Sequence, residues 1–483
     1  MSPRYENLLD RPILMLSDKV SVPFRALIEG GTLIVGGLGA GKSSTSLRQA
    51  FMGLLYAGVG ALVSTTKSTD TADCIAMARA CGFEKNVLVF SIESGMTFDP
   101  LAFLWSTGRG AGVVENIVDF FDVILSIGKP LAGSSADRFW ELASQQTFRA
   151  TLVLLWLAGV IPSITNIYRA IQSFPMRPGE HDEESWEKSS YTASLIDQIR
   201  ERKNTLSQPQ WTDLENATRF VFDIWPSMDE RTRSNIAMTV YGLADKFTYS
   251  PFREMFCSGR YDFTPWQITH EHKIVILDIP VLSVGRETAR LMQTIVKLVC
   301  QRDWLSHPYR PGCCNGAALV QDEFQMLMSR FENHFVQVCR GSAIAPIYIT
   351  QTILNLAEEM GESQPGSKTK AFLNNLSVKI AHNLTCPDTA TYFADVIGKS
   401  YRYIDSFNAG SSGESHHTHT SVGGARQLAY HVEPIEFTRL LKPDATNPLS
   451  EAIVWQSGRT FTNTTKREPD ARSNYLRVLF SRE

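Results

Sequence analysis

The chain has 483 residues, of which 43% are hydrophobic and 20% are charged, so it can bury enough apolar surface to fold as a globular protein. This length exceeds one ordinary hydrophobic core and predicts two or three domains. A formal net charge of −3 excludes a nucleic-acid binder of the simple basic type, although a ring or channel with a local basic lining stays compatible with it.

The cysteine spacing and the hydropathy of the chain indicate its cellular compartment and whether it spans a membrane. The eight cysteines are scattered, without the spacing of a metal knuckle or of short disulfide loops, which favours a reducing compartment. The polar and charged start of the chain does not match a signal peptide. The most apolar stretch, residues 150–161, is about a dozen residues long, whereas a bilayer span needs roughly 20. We therefore expect a cytoplasmic chain with no transmembrane segment of its own.

Strand and helix patterns alternate at the beginning of the chain. Short apolar runs at 31–36, 61–65 and 87–90 indicate buried strands, and the stretches 43–56 and 72–81 between them indicate helices. Alternation of this kind predicts a parallel sheet that is covered by helices on both faces.

The pattern changes after residue 113. From 114 to 247 the apolar residues follow helical spacing with almost no strand signal, which indicates an inserted all-helical domain. Residues 408–424 are rich in Gly, Ser and His and are predicted to form a mobile loop. Strand signals resume at 273–278, 317–322, 345–350, 377–381 and 452–455.

The predicted fold class is therefore α/β, with a mostly parallel central sheet and an inserted all-α domain. We divide the chain into an N-terminal part of the sheet domain at 1–113, the all-α domain at 114–250, and a C-terminal part of the sheet domain at 251–483.

Residues 36–43 carry a specific chemical signature. They fit the phosphate-binding P-loop pattern G-x-x-x-x-G-K-[ST] and lie between a predicted strand and a predicted helix, as this motif requires. Glycines let the backbone wrap phosphates, and successive N–H groups with the following helix N-terminus attract anions. Lys42 is expected to reach the β- and γ-phosphates of ATP, and the Ser43 hydroxyl to ligate Mg²⁺. The predicted nucleotide-binding residues are Gly36, Gly37, Leu38, Gly39, Ala40, Gly41, Lys42, Ser43 and Ser44.

A P-loop ATPase also needs an acid that holds Mg²⁺ through its water shell. Two strand ends offer one, Asp322 and Asp278. We choose Asp322 because Glu323 follows it, so that one carboxylate can serve the metal and the other can polarise an attacking water. Asp278 has no acidic neighbour and is interpreted as a strand-end residue. The acidic pair favours hydrolysis over phosphoryl transfer to a small molecule, since a kinase must exclude water.

Two more residues are candidates for the reaction. Gln351 follows the strand 345–350, whose carboxyl end should face the nucleotide, so its amide could contact the γ-phosphate or the attacking water. The alternative is an ordinary strand-terminal glutamine. Arg340 ends a predicted helical stretch at 324–340. It is equally compatible with a cation favoured by the helix dipole and with a charge supplied to a neighbouring subunit's nucleotide.

These motifs and their order resemble the conjugative type IV secretion coupling proteins, within the FtsK–HerA group of motor ATPases. The resemblance covers most of the chain. It is carried by the P-loop, Asp322-Glu323-Phe324, Arg340, Gln351, Phe98-Asp99-Pro100-Leu101, Asp137-Arg138-Phe139-Trp140 and the stretch 383–398 with Asp388 and Thr389.

The resemblance implies a RecA-like nucleotide-binding domain, and an all-α domain that meets DNA-processing partners. It also implies a hexameric ring with sites at subunit interfaces and DNA in its channel. Within that ring it makes Arg340 a trans-acting arginine and Gln351 a γ-phosphate sensor.

Two features depart from the family pattern. Members usually begin with membrane-spanning helices, whereas this chain reaches its P-loop by residue 36, so peripheral attachment to the inner membrane would need a partner. The second strand ends in Ser64-Thr65-Thr66-Lys67, where many members have Asp-Pro-Lys.

The function predicted from the sequence is an ATP-hydrolysing, Mg²⁺-dependent motor. It couples or translocates DNA, single- or double-stranded, or a nucleoprotein substrate to a machinery of the type IV secretion or conjugation type. The alternative is a nucleotide-dependent adaptor that recruits secretion or defence partners with little translocation. A P-loop enzyme acting on a small molecule fits the helical insertion least.

Overall fold

A nine-stranded sheet forms the centre of the fold. The structure is a computed structural model that describes residues 7–108, 112–127, 135–411, 418–463 and 471–482. The strands are β1 Pro12–Ser17, β2 Val20–Pro23, β3 Thr32–Val35, β4 Gly60–Ser64, β5 Val87–Ser91, β6 Ile274–Asp278, β7 Ala317–Gln321, β8 Ile344–Thr350, β9 Val378–Ala381, β10 Lys399–Ser411, β11 Thr418–Tyr430, β12 Leu449–Gln456, β13 Phe461–Asn463, β14 Ala471–Ser473 and β15 Tyr475–Ser481.

The strand order across the main sheet is β15-β12-β9-β3-β8-β7-β4-β6-β5. The strands from β9 to β5 run parallel, β12 is antiparallel to β9, and β15 is antiparallel to β12. All residues of β3, β4, β7, β8 and β9 are buried, as expected for strands that are covered on both faces. The predicted mostly parallel sheet is confirmed, and its parallel strands all end at one edge.

Helices pack on both faces of the sheet. The α-helices are α1 Phe24–Ile28, α2 Arg48–Tyr56, α3 Ser68–Ala80, α4 Pro100–Thr107, α5 Gly112–Leu125, α6 Ser135–Ala158, α7 Ile164–Gln172, α8 Glu184–Ser189, α9 Tyr191–Glu201, α10 Gln208–Arg219, α11 Trp225–Ser227, α12 Glu230–Asp245, α13 Phe252–Phe256, α14 Pro265–His270, α15 Val281–Val284, α16 Arg286–Ser306, α17 Glu332–Val338, α18 Ile353–Glu359, α19 Ser367–Asn375, α20 Pro387–Ile397 and α21 Pro434–Thr438. Short 3₁₀ turns are Leu8–Asp10, Glu84–Asn86, Glu180–Asp182, Lys203–Thr205, Phe324–Leu327 and Cys339–Ser342, and π-helical turns are Ser43–Leu47 and Phe220–Ile224.

The alternation along β3 shows how the two faces are filled. Ile34 belongs to a buried hydrophobic cluster with Phe51 of α2. Leu33 and Val35 belong to a different cluster, which includes Leu356 of α18. Successive residues of a strand point to opposite faces, so one apolar run supplies both layers of core.

The described residues between β5 and β6 form helices α4 to α14, in agreement with the helical periodicity predicted for this stretch. Its interior is rich in aromatic rings: Phe121 stacks on Phe148 with ring centroids 4.6 Å apart, and Phe174 meets Trp225 edge to face at 5.5 Å. These rings share one hydrophobic cluster with Phe90 of the sheet, so the helical block packs directly on the sheet. The predicted domain boundaries at 113 and 250 stay a prediction. Within the described ranges, no helix has both the length and the apolar character that crossing a bilayer requires.

Two predictions of local structure were wrong. The stretch 324–340 is not one helix, because Met328 is extended and separates a 3₁₀ turn from α17. Lys297 donates a hydrogen bond to the Leu327 carbonyl, the acceptor that a continuing helix would use. The predicted loop at 408–424 includes the ends of β10 and β11, which pair antiparallel up to Ser411 opposite Thr418. Its residues 412–417 lie outside the described part of the chain.

Candidate nucleotide-binding site

The P-loop connects β3 to the helix that begins at Ser43. Gly39 and Gly41 have φ angles of +68° and +90°, a region that L-residues with a Cβ rarely adopt. A Cβ on Gly41 would also lie only 2.9 Å from Cβ of Ser450. The φ angle and the close contact therefore both require glycine at position 41. Leu38, at the tip of the loop, is 75% exposed.

Lys42 is folded back over the loop. Its Nζ donates hydrogen bonds to the carbonyls of Gly36 at 2.6 Å and Gly37 at 3.1 Å. Burial lowers the pKa of Lys42, and the carboxylates of Asp322 and Glu323 oppose that shift. The ammonium group is thus held by neutral carbonyls that a bound anion could displace.

Ser43 joins the P-loop to the end of β7. Its Oγ donates to Oδ2 of Asp322 at 2.8 Å, and the backbone N–H of Glu323 donates to Oδ1 at 2.9 Å. Burial raises the pKa of Asp322 in spite of these two hydrogen bonds. A hydroxyl and a carboxylate side by side are oxygen ligands of the kind that Mg²⁺ takes together with nucleotide phosphates, so the pair fits that ion.

Asp278, the other acid considered, lies elsewhere on the same edge. It ends β6, which is four strands from β3 in the sheet. At about 4.8 Å per strand, this is a separation of roughly 19 Å, against about 10 Å for β7. The position of Asp278 is that of a strand-end residue remote from the P-loop.

Glu323 lies beside Asp322 in a conformation that is unusual for a residue with a side chain. Its φ and ψ are 48° and 47°, a left-handed geometry that costs on the order of 1–3 kcal/mol. Gln351 Nε2 donates to its Oε1 at 2.8 Å, and Gln325 Nε2 donates to its Oε2 at 2.6 Å. Gln325 in turn accepts a hydrogen bond from Thr350 Oγ1 at 2.9 Å. The carboxylate is therefore held between two amides at the carboxyl ends of β7 and β8.

Arg340 is not brought to this site within one chain. It precedes β8, and its side chain, 67% exposed, approaches Oε1 of Glu29 at 3.7 Å. Glu29 precedes β3, which is parallel to β8, so both residues lie at the amino edge of the sheet. The seven residues of β8 separate that edge from Gln351 by roughly 23 Å at 3.3 Å per residue.

Several polar residues near the P-loop were not predicted. Arg482 Nε donates to Oγ of Ser44 at 3.3 Å, and the charges of Lys67 and Lys442 further lower the pKa of Lys42.

His382 and Ser450 form a second group of unpredicted neighbours. The His382 ring lies 2.7 Å from Ser46 Oγ and 2.8 Å from Ser450 Oγ, and Ser450 donates to the carbonyl of Ala40 at 2.8 Å. A polar residue directly after the predicted strand 377–381 was the signal for His382. For Ser450 the sequence held none, since 410 residues separate it from Ala40.

Comparison with known proteins gives one family and a set of similar structures. The family model for type IV secretory system conjugative DNA transfer matches residues 30–443. No curated protein sequence matches the chain. The unbound monoclinic form of the bacterial conjugative coupling protein TrwBΔN70 is similar with a TM-score of 0.62 and 13% identity, over 98% of this chain and 89% of that one.

Two nucleotide complexes of the plasmid coupling protein TrwB are similar as well. The complex with ADP and Mg²⁺ has a TM-score of 0.61 and 13% identity, covering 98% of this chain and 90% of that chain. The complex with the non-hydrolysable ATP analogue ADPNP has a TM-score of 0.56 and 14% identity, covering 96% and 88%. At these identities the likeness is one of fold, and it confirms the predicted RecA-like P-loop architecture.

Proposed function

The chain belongs to the type IV secretory system conjugative DNA transfer family, and we propose that it is an ATP-hydrolysing motor that moves DNA for a conjugation machinery. The observation that carries this proposal is the convergence of five side chains on one sheet edge. Lys42 and Ser43 meet Asp322 there, and Gln351 holds Glu323 beside them.

The proposed nucleotide is ATP with Mg²⁺. The loop 36–44 would hold the phosphates, and Ser43 and Asp322 would hold the metal, which when bound neutralises charge on the phosphates. The TrwB complexes with ADP and Mg²⁺ and with ADPNP support this choice, because those ligands were bound by a protein of the same fold. Lys42 would exchange its two loop carbonyls for phosphate oxygens.

Glu323 is the proposed base that polarises the attacking water. In the structure its two oxygens accept hydrogen bonds from Gln351 and Gln325, so a water that approaches this carboxylate has to compete with two amides. If Gln351 turned towards a γ-phosphate, Oε1 of Glu323 would be free to accept a proton from water. Gln351 would then act both as sensor and as the restraint that holds Glu323 until a γ-phosphate is in place.

The proposed assembly is a homo-oligomer, most simply a hexameric ring. Arg340 supports it, because the exposed guanidinium lies at the sheet edge opposite to its own P-loop and could serve only a neighbouring subunit's nucleotide. DNA, whose strandedness stays open, would pass through the ring. The helical block at 114–250 would contact secretion or DNA-processing proteins, and the chain would work in the cytoplasm, at the inner membrane through partners.

A nucleotide-dependent adaptor is the second candidate. The observation that favours it is the restraint on Glu323, since two amides on one carboxylate suit a chain that binds ATP and turns it over slowly.

One experiment separates the two candidates. ATP turnover is measured with no DNA, with single-stranded DNA and with double-stranded DNA, and particle size is measured under the same conditions by light scattering. Glu323→Gln serves as the inactive control. A motor shows turnover that rises with DNA and with oligomer formation, whereas an adaptor shows tight nucleotide binding and negligible turnover under every condition.

A further inference from the structure

A buried chain of hydrogen bonds ties the P-loop to two distant strands. The backbone N–H of His382 donates to the carbonyl of Val35 at 2.8 Å, which continues the pairing of β9 with β3 and places the imidazole beside the loop. Ser46, His382 and Ser450 are all fully buried. A Cβ on Gly36 would lie 2.9 Å from Cβ of His382, so the first glycine of the motif also makes room for this residue.

The protons of these hydrogen bonds can be assigned by counting the donors that each side chain has. Ser450 has one hydroxyl proton and donates it to the carbonyl of Ala40, so its oxygen must accept from Nδ1 of His382. A neutral imidazole with its proton on Nδ1 leaves Nε2 as the acceptor for the hydroxyl of Ser46. Burial, with a smaller contribution from Lys42, lowers the pKa of His382 to about 3, so the ring stays neutral at physiological pH.

These hydrogen bonds matter because they fix the direction of one peptide group in the P-loop. The Ala40–Gly41 peptide is planar, so its carbonyl and the N–H of Gly41 point in opposite directions. A hydrogen bond that holds the Ala40 carbonyl against Ser450 therefore turns the Gly41 N–H away from Ser450. A P-loop binds phosphates through its backbone N–H groups, so the orientation of this peptide bears on phosphate binding.

We propose that His382 is a positioning residue for the P-loop, which acts through Ser450 to fix the orientation of the Ala40–Gly41 peptide before nucleotide binds. This inference rests on the proposed function, since it assumes that the loop binds phosphate. The hydrogen bonds contribute to phosphate binding in the ground state and in the transition state alike. Their loss is thus expected to raise KM and leave kcat nearly unchanged.

The test uses the full chain with a fluorescent ATP analogue, and compares Kd, KM and kcat among variants. Ser450→Ala removes the hydroxyl, and His382→Leu removes both ring nitrogens at similar volume. His382→Asn keeps an N–H near the position of Nδ1. Ser457→Ala, at the exposed residue that directly follows β12, is the serine control. Thermal midpoints identify any variant that does not fold. If His382→Leu does not fold, Ser450→Ala and His382→Asn still test the inference.

We expect Ser450→Ala and His382→Leu each to weaken binding about tenfold with kcat within about twofold, and the double variant to lose no more than either. His382→Asn should stay within about threefold of wild type. Binding that is unchanged in Ser450→Ala, or losses that add in the double variant, would overturn the inference. The proposed function fails differently: the unmodified chain would not bind the analogue, or Lys42→Ala would bind it equally well.

Discussion

Ser43 Oγ donates a hydrogen bond to Asp322 Oδ2 at 2.8 Å, although 279 residues separate the two in the sequence. The bond crosses from the P-loop that follows β3 to the residue after β7, and Gln351 directly follows β8, the strand between them. Three strands therefore present a hydroxyl, a carboxylate and an amide at one edge. Substitutions of single residues at this edge, or of the residues that support it, test the role of each one separately.

Lys42→Ala is expected to weaken ATP binding by about 10- to 150-fold. The variant removes the cation that the loop holds with two carbonyls, and a charge-assisted contact to phosphate is worth roughly 1.5–3 kcal/mol before any effect on the loop itself. Titration with a fluorescent ATP analogue measures the loss. Lys19→Ala, an exposed lysine between β1 and β2, is the control and should bind normally. Equal affinity in both variants would remove Lys42 from the site.

Glu323→Gln is expected to bind ATP within about threefold of wild type and to hydrolyse it at least about 100-fold more slowly. The substitution keeps the shape but removes the charge that would accept a proton from water. Single-turnover hydrolysis measures the chemical step, and Glu358→Gln, an exposed glutamate on α18, is the control. Normal turnover in Glu323→Gln would show that another group activates the water.

Arg340→Ala is expected to lose hydrolysis while its own P-loop stays intact. Because Arg340 lies at the amino edge of the sheet, the defect should be complemented in trans. Mixing Arg340→Ala with Lys42→Ala creates interfaces that contain one intact P-loop and one intact arginine. Such mixtures should recover part of the ATPase rate, in proportion to the fraction of mixed interfaces. A flat zero across all mixing ratios at saturating protein would contradict action in trans.

The sequence predicted the parts of the site that depend on local pattern. Strand, loop and helix follow one another within a few residues of Lys42. The sequence was therefore sufficient to predict the P-loop residues, the α/β class and the family. The choice of Asp322 over Asp278 agrees with a strand order that the sequence did not contain, since Asp322 directly follows β7, two strands from β3. The roles assigned to Asp322, Glu323, Gln351 and Arg340 stay predictions.

Contacts between segments that are far apart in the sequence could not be predicted from it. The contact of Ser450 with Ala40 depends on β12 pairing with β9, and antiparallel pairing at a sheet edge leaves no signal in the local pattern. The break at Met328 was missed for a similar reason, because the hydrogen bond from Lys297 to Leu327 comes from a helix that precedes it by 30 residues.

A buried ion pair supports the turn that carries Glu323. Lys297 of α16 and Glu332 of α17 are both fully buried, with Nζ 2.6 Å from Oε2. Oε1 of Glu332 also accepts hydrogen bonds from Gln301 at 2.9 Å and from the hydroxyl of Tyr348 at 2.5 Å. The ring of Tyr348 stacks on Phe324 with centroids 4.0 Å apart, and Phe324 directly follows Glu323.

Lys297→Met is therefore expected to destabilise the fold by about 3–5 kcal/mol, because it leaves the Glu332 carboxylate buried without an opposite charge. The double variant Lys297→Met/Glu332→Gln should recover a large part of that loss, since a neutral amide oxygen can still accept from Tyr348. Thermal midpoints of the two single variants and the double variant, measured without nucleotide, test this expectation. If Lys297→Met melts with the wild type, or if the double variant is less stable than Lys297→Met, the charge pair is not what holds α16 to the turn. Glu323 would then owe its position to the packing of Phe324 on Tyr348 and to the hydrogen bonds from Gln351 and Gln325.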